Sequence, residues 1–395
     1  MSSHIMRHLH STLVTRAPRA VNPPCLNRVS TWLVLLMVSS LSVLRPAAAE
    51  TFPLPEDGGN VVGHLQGLLA RHADSFLDLG RTFNVGYEEL KLANPGVDPW
   101  IPEEGTLIVI PSRYVLPDAP RTGIVLNLAE MRLYYYPESE GGGPALEVIT
   151  HPVSIGQVGW NTPLGTTSVA SKLTDPAWFP PASIRAEAEA DGNPLPLVVP
   201  PGPDNPLGRH ALGLGIRGYL IHGTNKPYGL GMRVSHGCVR MYPEDIASLF
   251  ADVPVGTPVH IVDQPIKTAW RDGVLFMEAH PGDGEIELGG ELAATDAVRQ
   301  VIAVTSSEQS KRVRWEQVAA VAETTTGIPY AVSKASSVQL AQAHDRDLEM
   351  LPGEVRVPVS GIATQLDADA VADMRARLKR GLAQRRYFME NSRVQ

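Results

Sequence analysis

Short apolar runs of strand type, broken by glycine and proline, constrain the fold of this chain more than any other feature. Residues 123–128, 131–136 and 146–155 are rich in β-branched, aromatic and other apolar side chains, as β-strands are. The chain of 395 residues contains 35 glycines and 34 prolines, so many turns and extended segments are expected. This pattern predicts a mainly β architecture with α+β parts and disfavours a helical bundle.

The strand-type runs fall within residues 121–263, which we predict to be one domain. The runs at 123–136 predict a β-hairpin, and a helix is predicted over 243–250. Residues 175–206 are rich in proline, which lacks the N–H that a central strand donates. We therefore expect residues 175–206 to form a surface excursion or a lid over a site.

The N-terminal segment, residues 1–49, has the pattern of a secretory signal. It contains five arginines and no acidic residue, an apolar run over 32–44, and then Ala47-Ala48-Ala49. The apolar run is short and interrupted by serine, which disfavours a membrane span, although an uncleaved anchor is the alternative. We predict cleavage near Ala49 and a periplasmic protein.

The net charge excludes one class of partner. The chain has 34 Lys+Arg and 42 Asp+Glu, which gives a formal net charge of −8. Nonspecific nucleic-acid binding needs a basic face, so no nucleic-acid partner is expected.

Residues 50–60 are predicted to be a linker, and residues 61–111 a small domain. Two short helices, over 72–83 and 87–93, are followed by Asn94-Pro95-Gly96 and by a strand over 105–111. This order resembles a LysM module, the glycan-binding domain of many cell-wall proteins. The resemblance implies a small βααβ fold, and a packing domain without a ligand is the alternative.

The predicted signal cleavage separates the two cysteines, Cys25 and Cys238. Signal cleavage removes Cys25, so the mature protein carries Cys238 alone in an oxidising space. A lone thiol is exposed to oxidation there, so we expect a periplasmic thiol reductase as a partner.

The segment from His222-Gly223 to Ser235-His236-Gly237-Cys238-Val239-Arg240 carries the predicted chemistry. A cysteine nucleophile needs a base that accepts its proton. His236 is too near Cys238 in sequence for easy contact with the sulfur. His222 ends a predicted strand and approaches across the site, so we predict His222 as proton acceptor and donor.

Neighbouring residues are predicted to support this pair. Gly237 permits a sharp turn that presents the Cys238 thiol and aims backbone N–H groups at an oxyanion. The Gly223 carbonyl is placed to fix the tautomer of His222. Arg240 favours the thiolate or receives a substrate carboxylate.

Three other interpretations of the motif are weaker. Zinc binding by His222, His236 and Cys238 fits no common spacing and lacks a fourth ligand, so no metal and no cofactor are expected. Core packing is disfavoured because the motif lies between Arg233 and Arg240. A papain-like protease is disfavoured because that family's cysteine signature is missing.

Residues 121–263 resemble L,D-transpeptidases of the YkuD (ErfK/YbiS) family. The resemblance lies in the His222–Arg240 motif, in Thr162-Pro163-Leu164-Gly165-Thr166, and in the segments 175–181 and 205–208. It implies a β-sandwich-like domain with the cysteine on a loop under a lid. It also implies that His236 and Arg240 support Cys238 and His222, and we predict Ser235 as a further supporting residue.

The same resemblance implies a function. A thioester on Cys238 forms from a peptidoglycan tetrapeptide stem, and an amine then attacks it. The acceptor is a second stem, which gives a 3→3 cross-link, or a lysine of an outer-membrane lipoprotein. The alternatives are a carboxypeptidase or amidase on the same scaffold, and a catalytically idle wall-binding protein.

The C-terminal region, residues 264–395, is predicted to be a small α+β region. A hairpin is predicted over 270–280, and a helix around Trp315, Val318 and Val321. A second, amphipathic helix is predicted over 366–388.

Overall fold

The computed structural model describes residues 49–157, 159–282, 290–336 and 339. The predicted signal segment, except for Ala49, and the predicted helix over 366–388 lie outside these residues. No helix in the described ranges is long and apolar enough to span a membrane.

The elements of the described residues are numbered in chain order. The strands are β1 (Glu50–Pro53), β2 (Val61–Gly63), β3 (Gln66–Leu69), β4 (Leu107–Ile110), β5 (Arg113–Val115), β6 (Gly123–Asn127), β7 (Arg132–Tyr136), β8 (Glu147–Pro152), β9 (Ile155–Gly156), β10 (Gly165–Thr174), β11 (His210–Leu214), β12 (Leu220–His222), β13 (Arg233–Ser235), β14 (Val239–Arg240), β15 (Pro258–Val262), β16 (Ile266–Arg271), β17 (Val274–Ala279) and β18 (Tyr330–Ala331). The helices are α1 (Phe76–Thr82), α2 (Tyr87–Ala93), α3 (Ala182–Ala190), α4 (Pro243–Asp252), α5 (Gly290–Ala303), α6 (Ser307–Ser310) and α7 (Trp315–Thr324), and a 3₁₀ turn spans Pro227–Gly229.

A nine-stranded mixed sheet is the centre of the fold. Its strand order is β1-β8-β7-β6-β15-β10-β11-β12-β14. The first part of β10 pairs with β15 and the second part with β11, with a register shift between Val169 and Ser171. The mainly β prediction is confirmed. The two halves of the sheet are continuous through β10, whereas a sandwich has two separate sheets.

Strands β6 and β7 are buried on both faces, and this explains their apolar composition. Ile124 and Leu133 belong to the main core of residues 121–263, whereas Val125 and Tyr134 face a second apolar cluster. Alternate side chains of a strand point to opposite faces. The predicted hairpin over residues 123–136 is therefore confirmed, with two covered faces.

The predicted linker over residues 50–60 is wrong in its first part. Residues 50–53 form β1, which pairs antiparallel with β8 at the edge of the large sheet. Phe52 is only 8% exposed and meets the ring of Tyr114 edge-on. Burial of this aromatic side chain holds the strand in place.

Within residues 61–111, predicted to be a small βααβ domain, the elements after β2 follow the order β3-α1-α2-β4. β3 and β4 pair antiparallel, and α1 and α2 lie between them in the chain. Asn94 ends α2: its Nδ2 donates to the carbonyls of Leu90 and Val109, both at 2.8 Å, and its Oδ1 accepts from the Val109 N–H. The first helix begins at Phe76, later than predicted, because Ser75 caps it.

The C-terminal sheet has the order β16-β17-β18. The hairpin of β16 and β17 is longer than the predicted one and starts at Ile266. The predicted helix around Trp315 is α7, and its Val318 and Val321 are buried.

Buried ion pairs join the three regions. Arg132 of β7 pairs with Glu89 of α2, with 2.7 Å between Nη2 and Oε2. Lys267 of β16 lies between two carboxylates, with its Nζ 2.7 Å from Glu130 Oε2 and 2.8 Å from Glu278 Oε1.

Candidate active site

Two parallel strands bring the predicted catalytic residues to one face. β12 pairs with β14 so that Ile221 lies beside Val239, and His222 beside Arg240. Ile221 and Val239 are both in the main core. Because side chains alternate along a strand, His222 and Arg240 lie on the opposite face, as does Cys238 immediately before β14.

His222 is buried in a defined tautomeric state. Its side chain is 4% exposed, and its Nδ1 lies 2.6 Å from the Gly223 carbonyl oxygen. A carbonyl only accepts, so Nδ1 carries the hydrogen and Nε2 keeps its lone pair. Burial, and then the charge of Arg240, lower the pKa of His222 to about 4, so the ring is neutral at neutral pH. The hydrogen bond predicted for the Gly223 carbonyl is present.

The Cys238 thiol is partly buried and protonated at rest. Its Sγ lies 3.6 Å from the Gly218 carbonyl oxygen. Burial raises the pKa of Cys238, whereas a hydrogen bond to the backbone of Leu220 and the charge of Arg240 oppose this rise. A base is therefore needed to form the nucleophilic thiolate.

Gly237 adopts the predicted sharp turn, with a φ of +100°. A Cβ at this position would lie 3.0 Å from Cε1 of Tyr219. Thr162 Oγ1 donates to the Gly237 carbonyl at 2.8 Å, and Ser235 Oγ donates to the Cys238 carbonyl at 2.5 Å. Two hydroxyl groups thus hold the loop that carries the thiol.

The backbone N–H groups of this turn differ in their partners. The N–H of Gly237 donates to Ser235 Oγ at 3.2 Å. In the described part of the chain, no hydrogen bond engages the N–H of Cys238. The Cys238 N–H is thus the donor of this turn that is free to meet an oxyanion.

His236 faces the proline-rich excursion. Its Nε2 lies 2.9 Å from Oε2 of Glu187 in α3. Its ring meets the ring of Trp160 edge-on, with the centroids 4.8 Å apart. The excursion is thereby joined to the catalytic loop two residues before Cys238.

The excursion over residues 175–206 is hydrogen-bonded around a buried residue near its C-terminal end and has an exposed helix at its tip. Asn205 is buried, and its Nδ2 donates to the carbonyls of Pro176, Val199 and Pro200. The tip is α3, in which no residue is buried. The predicted surface excursion is found, and it contains a helix that we did not predict.

Arg240 brings a positive charge next to the thiol. Its Nε is buried and has no hydrogen-bond partner among the described residues. Burial lowers the pKa of this guanidinium, whereas the negative charge of a Cys238 thiolate raises it.

Three residues that contact the loop around Cys238 were not predicted from the sequence: Trp160, Glu187 and Tyr219. The only available signal was for Glu187, because the alanine-rich run 182–190 has high helix propensity within the proline-rich segment. Trp160 and Tyr219 approach the loop only through tertiary packing.

The described residues contain one trio of metal-type ligands, Glu130, Glu278 and His280. It includes neither Cys238 nor its neighbouring histidines. The Lys267 ammonium already contacts both carboxylates of this trio, and its positive charge disfavours a cation there.

A neutral buried imidazole and a cysteine on a glycine turn are the components of catalysis by a thiol nucleophile. Residues 121–261 match the family model of the L,D-transpeptidase catalytic domain, YkuD.

Comparisons with curated relatives agree. The chain is 44% identical over 260 residues to Probable L,D-transpeptidase YcfS of Escherichia coli K12, which covers 64% of this chain and 80% of the relative. It is 47% identical over 238 residues to Probable L,D-transpeptidase YbiS of the same organism, covering 59% and 76%. For Probable L,D-transpeptidase ErfK/SrfK of Salmonella typhimurium the identity is 42%, covering 62% and 77%. The chain belongs to the L,D-transpeptidase family, and the predicted enzyme class is confirmed.

Solved structures similar to the chain include the crystal structure of L,D-transpeptidase 3 from Mycobacterium tuberculosis. The identity is 19% and the TM-score 0.27, covering 42% of this chain and 73% of that one.

Proposed function

We propose that this L,D-transpeptidase acts on peptidoglycan tetrapeptide stems through a thioester on Cys238. The observation that carries the proposal is the register of β12 and β14. This register places Cys238 and the neutral His222 on one face, with the proton of His222 fixed on Nδ1.

The first half-reaction forms the thioester. His222 Nε2 takes the thiol proton, and the thiolate attacks the carbonyl of the diaminopimelyl residue. The Cys238 N–H donates to the oxyanion that develops. The intermediate then collapses, the C–N bond breaks, and His222 returns its proton to the amine of the departing D-alanine.

The second half-reaction transfers the acyl group to an amine. The amine of a second stem gives a 3→3 cross-link, and a lysine of an outer-membrane lipoprotein gives a covalent anchor. Water as acceptor makes the enzyme a carboxypeptidase, and this is the second candidate function. The loop that carries Cys238 is partly exposed, so water has access to it.

Residues around the pair are proposed to support it. Gly237 and Ser235 hold the turn, and His236 connects the turn to α3. Arg240 has an unpartnered buried Nε, which suits a substrate carboxylate or the thiolate.

Export to the periplasm is also part of the proposal. The folded edge strand β1 begins at Glu50, directly after the predicted cleavage site at Ala49. Cleavage there leaves the sheet intact, and a periplasmic thiol reductase keeps Cys238 reduced. N-terminal sequencing of the exported protein tests this: Glu50 as the first residue supports it, and an intact segment 1–49 contradicts it.

Glycan binding by the LysM-like module is proposed on two observations. The βααβ order is present, and Trp100 is 59% exposed in the loop between α2 and β4. Its ring lies 6.2 Å from that of Tyr87. Exposed aromatic rings suit sugar faces, so Trp100→Ala should weaken sedimentation with purified peptidoglycan.

Product analysis of purified muropeptides tests the catalytic proposal. Dimers indicate transpeptidation, trimmed monomers indicate a carboxypeptidase, and unchanged stems indicate an idle protein. His222→Ala should lower the rate by about 10²–10⁴-fold because the proton acceptor is lost. His236→Ala should act only through the loop; if it abolishes activity while His222→Ala does not, the base is assigned wrongly.

A further inference from the structure

We propose that Glu187 binds the protonated amine of the acceptor and thereby favours amines over water in the second half-reaction. This inference rests on the proposed acyl transfer by Cys238. Nothing in the family motif includes Glu187, which lies in the excursion outside the motif.

The position of Glu187 is set by its contact with the catalytic loop. Its Oε2 lies 2.9 Å from His236 Nε2, and His236 precedes Cys238 by two residues. The Glu187 side chain is 46% exposed, and that of His236 is 26% exposed. The carboxylate is therefore accessible from solvent and is in direct contact with the loop that carries the thiol.

The carboxylate has capacity for a second partner. It offers about four lone-pair positions on two oxygens, and the contact with His236 uses one oxygen. An alkyl ammonium has three donors and forms charge-assisted hydrogen bonds with carboxylates. Simple primary amines of the lysine type have a pKa of about 10.4, so the acceptor arrives as the ammonium.

The aminolysis step balances with the groups in the site. The bound ammonium loses one proton to solvent, and the neutral amine attacks the thioester carbonyl. The second amine proton passes to His222 Nε2 as the C–N bond forms. The C–S bond then breaks, and His222 returns this proton to the Cys238 thiolate.

The recognised chemistry is a primary ammonium, which both a second stem and a protein lysine carry. Water and uncharged nucleophiles gain nothing from Glu187. Removing its charge should therefore change the ratio of aminolysis to hydrolysis, whereas a merely structural role in the excursion should change both rates together.

The test uses the full-length exported enzyme with a tetrapeptide donor, and measures amide product and hydrolysed product by mass spectrometry. The acceptors are a second stem, Nα-acetyl-lysine amide, and hydroxylamine, which is uncharged at neutral pH. Glu187→Gln is compared with Glu189→Gln, an exposed position on the same helix.

Glu187→Gln should lower the aminolysis-to-hydrolysis ratio about tenfold with both ammonium acceptors, through a higher acceptor KM. The ratio with hydroxylamine should stay unchanged, as should every value for Glu189→Gln. Loss of support for the catalytic turn through His236 should lower aminolysis and hydrolysis together and leave their ratio unchanged. An unchanged ratio in Glu187→Gln, or an equal fall with hydroxylamine, overturns the inference. A loss with one ammonium acceptor alone contradicts general ammonium recognition. A wild-type enzyme that forms no acyl-enzyme overturns the proposed function as well, and this outcome is visible before any acceptor is added.

Discussion

Lowering the pH should lower the free energy of unfolding, because the buried His222 resists protonation in the folded protein. Burial lowers the pKa of His222 from its ordinary value of 6.5 to about 4. Each pKa unit corresponds to about 1.4 kcal/mol, so the shift of roughly 2.5 units corresponds to about 3 kcal/mol of unfolding free energy.

The sign follows from proton binding. The unfolded chain binds a proton at His222 below about pH 6.5, whereas the folded chain resists it until about pH 4. The contribution of neutral His222 to stability is therefore fully present above about pH 6.5. It is lost progressively as the pH falls from there through about 4.

Urea unfolding of wild type and His222→Gln at pH values from 7 to 4 measures this contribution. Glutamine keeps a donor for the Gly223 carbonyl but does not titrate in this range. The difference between the two proteins should change by about 3 kcal/mol across the series. If the unfolding free energies of the two proteins changed in parallel with pH, the reasoning would be refuted. It would also be refuted if the rate of Cys238 acylation fell on the acid side with an apparent pKa near 6.5.

Three further predictions concern other parts of the fold. Lys267→Met should lower the free energy of unfolding by about 3–5 kcal/mol in the same urea assay, because it leaves two carboxylates buried without their cation. Lys311→Met, which removes an exposed ion pair, is the control and should change it by less than about 1 kcal/mol. Gly237→Ala should fold but acylate slowly, since a Cβ meets Tyr219 at a φ of +100°, and stopped-flow acylation at the wild-type rate would contradict this. A carbapenem should form a stoichiometric adduct on Cys238, with little or none from ampicillin. Intact mass spectrometry detects it, and an adduct that persists in Cys238→Ala places the nucleophile elsewhere.

The parts of this molecule that sequence predicts well are those fixed by neighbouring residues. The hairpin of β6 and β7 follows from local apolar runs, and the end of α2 follows from Asn94. The hydrogen bond of His222 to the Gly223 carbonyl also depends on adjacent residues, and the glycine at 237 indicates the turn that Thr162 helps to hold. These local features were sufficient to indicate the chemistry.

The parts that sequence did not predict depend on distant partners. β1 is a strand because β8 offers it an edge, and its own composition reads as a linker. Lys267 and Glu278 are charged, yet both are buried, and Lys267 forms ion pairs there with Glu278 and with the distant Glu130. The contact of Glu187 with His236 joins two segments that no sequence spacing relates.

The most direct test of the catalytic account is the mass of the enzyme during turnover. Wild-type protein mixed with a tetrapeptide stem, quenched in acid and digested, should carry the stem minus its terminal D-alanine on the peptide that contains Cys238. Cys238→Ala should fold, carry no adduct and form no product. Product formation by folded Cys238→Ala, or an acyl group on any other residue, would contradict the account.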